Sequence, residues 1–330
     1  MTVRSLIKQA AGWSWFASPM GRHSLRRRDS ILMLHRVLAS DAEAALPHRR
    51  ALCVGAGAFE RLLVWLSRHF DCVSMESMLT ERDGMRPRLT LTFDDGWRDN
   101  AEVAFPLLQR YQIPASIFLA TDYIGTDRRF WWEALGETFW QRPHETTQLV
   151  QALGTLGLTV PEALCAADAG VERSRAIGRF LQELKHLPAQ TLNELTRDCP
   201  AHNTRDALDW QQVQHMEASG LVRFGSHGAG HAILTLLDKS ALEDDLRRAA
   251  AALQRHCKAP LEVFCYPNGN HDAQVREAVS SQGYRHALAT QPGLLGESTA
   301  PLVLPRIDVS HDVAANPALL SWRLLQGAIR

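Results

Sequence analysis

The 330-residue sequence lacks net charge: 36 Lys and Arg balance 36 Asp and Glu. That balance gives no electrostatic reason to expect nucleic acid or an acidic polymer as partner. No stretch reaches the roughly 18 consecutive apolar residues that a membrane span needs. Cys-x-x-Cys is absent, and Cys53, Cys72, Cys165, Cys199, Cys257 and Cys265 are scattered. In a chain of this length that excludes a zinc ribbon and reads as core thiols, not a disulfide framework. His-Glu-x-x-His, the helical zinc-protease signature, is missing too, as are internal repeats and low-complexity tracts. The first 28 residues contain no acid at all. There Arg4, Lys8, Arg22, Arg26, Arg27 and Arg28 are interleaved with Leu6, Ile7, Trp13, Trp15 and Phe16. Lys8 and Gln9 interrupt any apolar core of a signal peptide. The expectation is therefore a cytoplasmic protein or one at the inner-membrane surface. Residues 1–29 read as a basic amphipathic segment that either packs on the domain or rests on a membrane surface.

What is present is an alternation of short apolar runs and helical periodicities over residues 30–330. Ile31–Val37 reads as a first core strand with a polar tip at His35 and Arg36. Residues 57–70 carry Phe59, Leu62, Leu63, Trp65 and Leu66 at helical spacing. Strands are expected at 72–74, 88–93, 115–120, 221–225, 262–266, 286–290 and 302–309, the last interrupted by Pro305. Helices are expected at 100–111, 210–219, 272–281 and at the C-terminus. Ser240 and Glu243 suggest a capping box for another helix reaching His256. Strand, helix, strand at this spacing means parallel pairing with right-handed crossovers, an α/β fold. Residues 125–215 break the rhythm with four helical patterns (131–141, 145–156, 172–187, 189–197) and no convincing strand. They read as a helical insertion, and insertions after a strand's C-terminal end tend to cover the active face.

The chemistry-bearing residues sit at strand ends. Leu89-Thr90-Leu91-Thr92-Phe93 runs into Asp94-Asp95-Gly96, and a buried charge is costly unless paired or bound to a metal. A second strand leads into Ser226-His227-Gly228-Ala229-Gly230-His231, and a third ends in Tyr266-Pro267-Asn268-Gly269. Two histidines four residues apart plus a carboxylate from another strand make a His₂Asp set with open positions, the composition of a catalytic metal centre. The second carboxylate beside it can serve as a base.

These segments resemble the polysaccharide deacetylases, the NodB-like carbohydrate esterases of family 4. Thr92-Phe93-Asp94-Asp95-Gly96 resembles that family's first motif, Ser226–His231 its second, and Phe264-Cys265-Tyr266-Pro267-Asn268-Gly269 its third, in the same order. The resemblance implies a distorted (β/α) barrel with fewer than eight strands. It implies Asp94 as general base and Asp95, His227 and His231 as ligands of a divalent ion, usually zinc. The reaction implied is hydrolysis of the N-acetyl group from an amino sugar of a polysaccharide, oligosaccharide or lipid-linked glycan precursor. The backbone N–H of Asn268 would stabilise the oxyanion, with Gly269 allowing close approach and Tyr266 beside them.

The chain departs from the pattern at three places. Gly228 stands where the family has Ser or Thr, Cys265 stands where it has an arginine that orients the base, and the histidine of its last motif is missing. Arg306 could replace that arginine or bind substrate. His311 or His35 could be the proton donor. Trp97, Trp131 and Trp132 are candidates for stacking on sugar faces. Two alternatives stay open: an O-acetyl esterase, which needs less help at its leaving group, and a sugar-binding barrel that has lost catalysis.

Overall fold

The computed structural model describes residues 3–80, 86–165, 170–200 and 204–329. Residues 166–169 and 201–203 of the expected insertion, and Met1 and Thr2 of the basic segment, lie outside the described residues. The strands are β1 (Ser30–Leu34), β2 (Arg36–Leu38), β3 (Cys53–Gly55), β4 (Asp71–Cys72), β5 (Arg88–Phe93), β6 (Ala115–Leu119), β7 (Val222–Ser226), β8 (Val263–Cys265), β9 (His286–Leu288) and β10 (Ile307–Asp308). The main sheet runs β10-β1-β5-β6-β7-β8-β9, parallel throughout, with β4 beside the first two residues of β5. Helices cover such a sheet, so its central strands are buried on both faces; every residue of β1, β5 and β6 is buried. The segment before β10 closes the ring: Leu304 pairs with Leu288 of β9, and Ile307 and Asp308 then pair with Leu32 and Met33 of β1. The result is the distorted barrel that the sequence implies.

Three expectations are corrected. The strand expected at 31–37 is cut at His35, and β2 pairs with β3, not with the main sheet. The cause lies in residues 99–100: Asp99 accepts the backbone N–H of Val37 at 2.9 Å and Arg36 Nε at 2.8 Å, while Asn100 Nδ2 donates to the His35 carbonyl. The helix expected at 100–111 opens with a wider π turn over Asn100–Ala104. The helix Lys239–His256 is capped by Asp238, whose carboxylate accepts the N–H of Ala241, and not by Ser240.

At the N-terminus α1 (Val3–Ala17) and α2 (Pro19–Arg27) break at Ser18-Pro19. α1 turns Gly12 and Trp15 inward and crosses close to Trp322 of the C-terminal helix Pro317–Ala328. Between β6 and β7 lie the helices Trp131–Gln141, Thr147–Thr155, Val171–Leu184 and Ala189–Leu195. They bury a separate cluster that includes Leu135, Phe139, Leu149, Ile177, Phe180 and Leu184. Glu133 joins this layer to the barrel, bridging Arg36 at 2.7 Å and Arg49 at 3.1 Å.

Burial works against the Glu133 charge, but Arg36 and Arg49 outweigh it and lower its pKa from 4.5 to about 2. A carboxyl depressed in the folded state adds stability above its unfolded pKa, and that stability disappears as the pH falls toward the folded value. Glu133→Gln should therefore cost about 3 kcal/mol at pH 7. The gap from wild type should close between pH 4.5 and 2. Urea unfolding at several pH values reads this directly; a constant gap down to pH 2.5 would contradict the assignment.

Candidate active site

β5 delivers two adjacent carboxylates into one buried place. The Asp94 N–H still follows the sheet, donating to the Leu34 carbonyl at 3.0 Å. Asp95 then turns into the left-handed region at φ 75°, a conformation that Asp tolerates better than most residues. The turn sends the two side chains to different partners. Among the described residues, non-glycine positive φ occurs at Asp95, Gln112, His231 and Asn268. Gln112 ends the helix Phe105–Tyr111; the other three are candidate site residues, which fits the tendency of unusual backbone to collect at functional sites.

Asp94 is gripped by Arg306. The guanidinium donates to both carboxylate oxygens, at 2.7 and 2.8 Å, and its Nε donates to the Ala289 carbonyl at 2.9 Å. Thr92 Oγ1 accepts from the same guanidinium and donates to the Leu32 carbonyl. Burial opposes the Asp94 charge, but Arg306, followed by His227, brings its pKa down to about 2. Arg306 is itself inaccessible to solvent. Of the two roles open to it in the sequence, it takes the orienting one. It arrives from the segment just before β10, which pairs with β1, the neighbour of β5. Cys265, at the vacated position, places its Sγ 3.4 Å from Asp94 Oδ1, and burial raises its pKa, keeping it a thiol.

Asp95 faces His227 and His231. Its Oδ1 lies 3.4 Å from His227 Nε2 and 3.1 Å from His231 Nε2. Its Oδ2 accepts the indole N–H of Trp97 at 2.7 Å. His227 Nδ1 lies 2.8 Å from the Cys265 carbonyl, which can only accept, so Nδ1 carries a proton and Nε2 is the nitrogen turned toward Asp95. Asp95 Oδ1 is buried and accepts no hydrogen bond. A buried carboxylate oxygen in that condition, facing two imidazole nitrogens, fits a divalent cation. The three donor atoms lie within 4.8 Å of one another. Asp94, His227 and Cys265 form a second such group, but both Asp94 oxygens are already engaged by a guanidinium and the thiol keeps its proton. The Asp95 set is the better cation site.

The loop bearing the histidines is shaped by a residue that the sequence reading missed. Asp245, buried on the helix Lys239–His256, accepts the N–H groups of Ala229 and Gly230, both at 2.8 Å. A Cβ at Gly228, where φ is +73°, would stand 2.7 Å from Asp245 Oδ1. The missing Ser or Thr is thus replaced by a carboxylate from the next helix. The available signal was an acid on the apolar stripe formed by Leu242, Leu246 and Ala249.

The remaining candidates divide. His35 and Asn268 line a cavity of about 870 Å³ that reaches Asp94, Asp95, His227 and His231. His35 Nε2 stands 3.9 Å from Asp94 Oδ2. Trp131 and Trp132 also line the cavity, and the Trp132 ring centroid is 4.7 Å from that of His231. Trp97 is buried against Phe130 and Trp132 and acts on Asp95, not on the cavity surface. Tyr266 is buried with Phe264 and Tyr284, its hydroxyl donating to the Leu302 carbonyl. His311 begins the helix His311–Ala315, where its Nδ1 accepts the Gly55 N–H, and is not among the cavity's lining residues. Gly269 gives its side-chain space to Thr290. Lys185, from the insertion, donates to Asn268 Oδ1 at 2.9 Å and lines the cavity; nothing in the sequence pattern singled it out.

Comparison with known proteins agrees with this geometry. A polysaccharide deacetylase family model matches residues 81–287, which include all three motifs and stop short of Arg306. No curated protein matches the sequence. Among solved structures, the chain is similar to the Streptococcus pyogenes deacetylase PplD in complex with acetate. The TM-score is 0.58 at 16% identity, covering 91% of this chain and 98% of that one. IcaB from Ammonifex degensii gives a TM-score of 0.58 at 19% identity, covering 90% and 97%. The BpsB deacetylase domain from Bordetella bronchiseptica gives 0.51 at 18%, covering 84% and 94%. At these identities the likeness concerns the fold; the matched family model carries the assignment. The chain belongs to the polysaccharide deacetylase family, hydrolases that act on carbon–nitrogen bonds of glycans.

Proposed function

We propose that the protein removes N-acetyl groups from amino-sugar glycans, using a divalent ion, zinc by preference, held by Asp95, His227 and His231. The observation that carries this reading is the unpartnered, buried Asp95 Oδ1 facing two imidazole nitrogens. When bound, such an ion polarises the scissile carbonyl and acidifies water. The rest falls to side chains of this chain. Asp94, kept ionised and fixed by Arg306, takes a proton from the attacking water. The Asn268 N–H, on a backbone turned to φ 55°, offers a hydrogen bond to the oxyanion. His35, whose Nε2 lies 3.9 Å from Asp94 Oδ2 in the cavity lining, donates the proton to the leaving amine. The products are acetate and a free amino sugar.

Two outcomes test the proposal. Trp97→Phe removes the hydrogen bond that aims Asp95 and should weaken zinc binding about 10- to 100-fold. Competition with a chromophoric chelator measures this, and an unchanged affinity would mean that Asp95 is not the ligand. Asp94→Asn should lower kcat on N-acetylglucosamine oligomers by about 10²- to 10⁴-fold. If acetate release from N-acetyl substrates is undetectable in wild type while O-acetylated glycans are turned over, the bond assignment moves to the ester.

A further inference from the structure

The cavity does not end at the hydrolytic centre. Continuous with Asp94 and Asp95, its far wall is made by the insertion and by the segment after His231. Leu187, Leu192, Ile233, Leu236 and Leu237 line it, with Leu52 from the barrel, among polar groups that include Arg179, Gln182, Glu183 and Lys185, so the cavity is amphipathic. The apolar side chains offer a sugar hydroxyl no hydrogen-bond partner, and hydroxyls buried without one are unfavourable. Nor are they the flat aromatic faces on which sugar rings stack. Leu236 is 64% exposed at this wall, a large apolar group left open beside a polar catalytic centre, which is the kind of exposure that signals a partner. We propose that the amino-sugar substrate carries a hydrocarbon aglycone, and that this chain lies along the leucine wall while the acetamido group reaches Asp94 and Asp95. This rests on the deacetylase reading for the reaction but not for the binding surface.

The experiment separates the two. Acetate release is measured on methyl, hexyl and octyl N-acetylglucosaminides, each below its micelle concentration. Partial burial of the chain predicts a kcat/KM about tenfold or more higher for octyl than for methyl. Leu236→Asp, at an exposed position that the fold tolerates, should collapse that octyl-to-methyl ratio. In parallel, binding of octyl and methyl glucosides, which have no acyl group, is measured by isothermal titration calorimetry. Tighter octyl binding without turnover of any acetamido sugar keeps the hydrocarbon site and removes the deacetylase reading. Turnover and binding that are both indifferent to chain length overturn the hydrocarbon site and leave the deacetylase reading intact.

A second, independent observation concerns the far N-terminal surface. α1 has two apolar faces. One packs inward through Gly12 and Trp15; the other exposes Val3, Leu6, Ile7 and Trp13, and Met20 of α2 is 70% exposed. Arg4, Arg22, Arg26 and Arg27 are exposed on the same two helices. No acid occurs before Asp29, which is paired with Arg88. An apolar stripe on helices whose charged residues are all cations matches the interface of an anionic bilayer in both chemistry and charge. We infer that α1 and α2 rest on such a surface. Sedimentation with phosphatidylglycerol vesicles should carry the protein down, and phosphatidylcholine vesicles should carry much less. Binding should fall in 0.5 M salt and be lost in Ile7→Asp/Trp13→Ser. Equal binding to both lipids, no binding, or vesicle-free dimerisation abolished by the same substitutions would each overturn the inference.

Discussion

Two neighbouring carboxylates, Asp94 and Asp95, are buried at the end of one strand, and neither can stay ionised there without help. Their charge is expensive to bury, so everything nearby is arranged to compensate it. The left-handed turn at Asp95 sends the two side chains apart, and each finds a different kind of partner. Asp94 receives a fixed positive charge from Arg306. Asp95 receives two imidazole nitrogens and one indole N–H. The first arrangement is complete as it stands and holds an ionised, oriented carboxylate. The second leaves Oδ1 buried without a hydrogen bond. One local backbone twist therefore gives the two carboxylates different environments.

The surrounding fold serves that separation. Closure of the barrel through Leu304 and β10 brings Arg306 across to Asp94. β8 supplies the carbonyl that fixes the His227 tautomer. The helix Lys239–His256 supplies Asp245, which holds the His227–His231 loop by its backbone. The insertion is joined to the barrel through the Arg36–Glu133–Arg49 bridge and completes the cavity wall with Trp131, Trp132, Lys185 and Leu187.

Much of this was legible in the residues. Strand ends carrying Asp-Asp and His-x-x-x-His are visible because polar groups interrupt apolar runs, and the structure brings Asp95, His227 and His231 together. The helices of the insertion follow their 3.6-residue periodicity closely. What was not legible depended on pairing between distant segments. Arg306 could be listed as a candidate, but only closure of the ring decides between orienting Asp94 and meeting substrate. Trp97 follows the Asp-Asp-Gly turn, so it invited a substrate-stacking role; the turn instead folds its indole back onto Asp95. Tyr266, just past the end of β8, packs beside Phe264 into the core. The break at His35 comes from Asp99 and Asn100, more than sixty residues away in sequence.

The central claim is that the cation belongs to the Asp95 set. A crystal structure of the zinc-loaded protein, with anomalous data collected on both sides of the zinc absorption edge, tests it most directly. The account predicts a single strong peak about 2.0–2.2 Å from Asp95 Oδ1 and from Nε2 of both His227 and His231, with Arg306 still on Asp94. A peak between Asp94 and Cys265, or none within reach of Asp95, would contradict it.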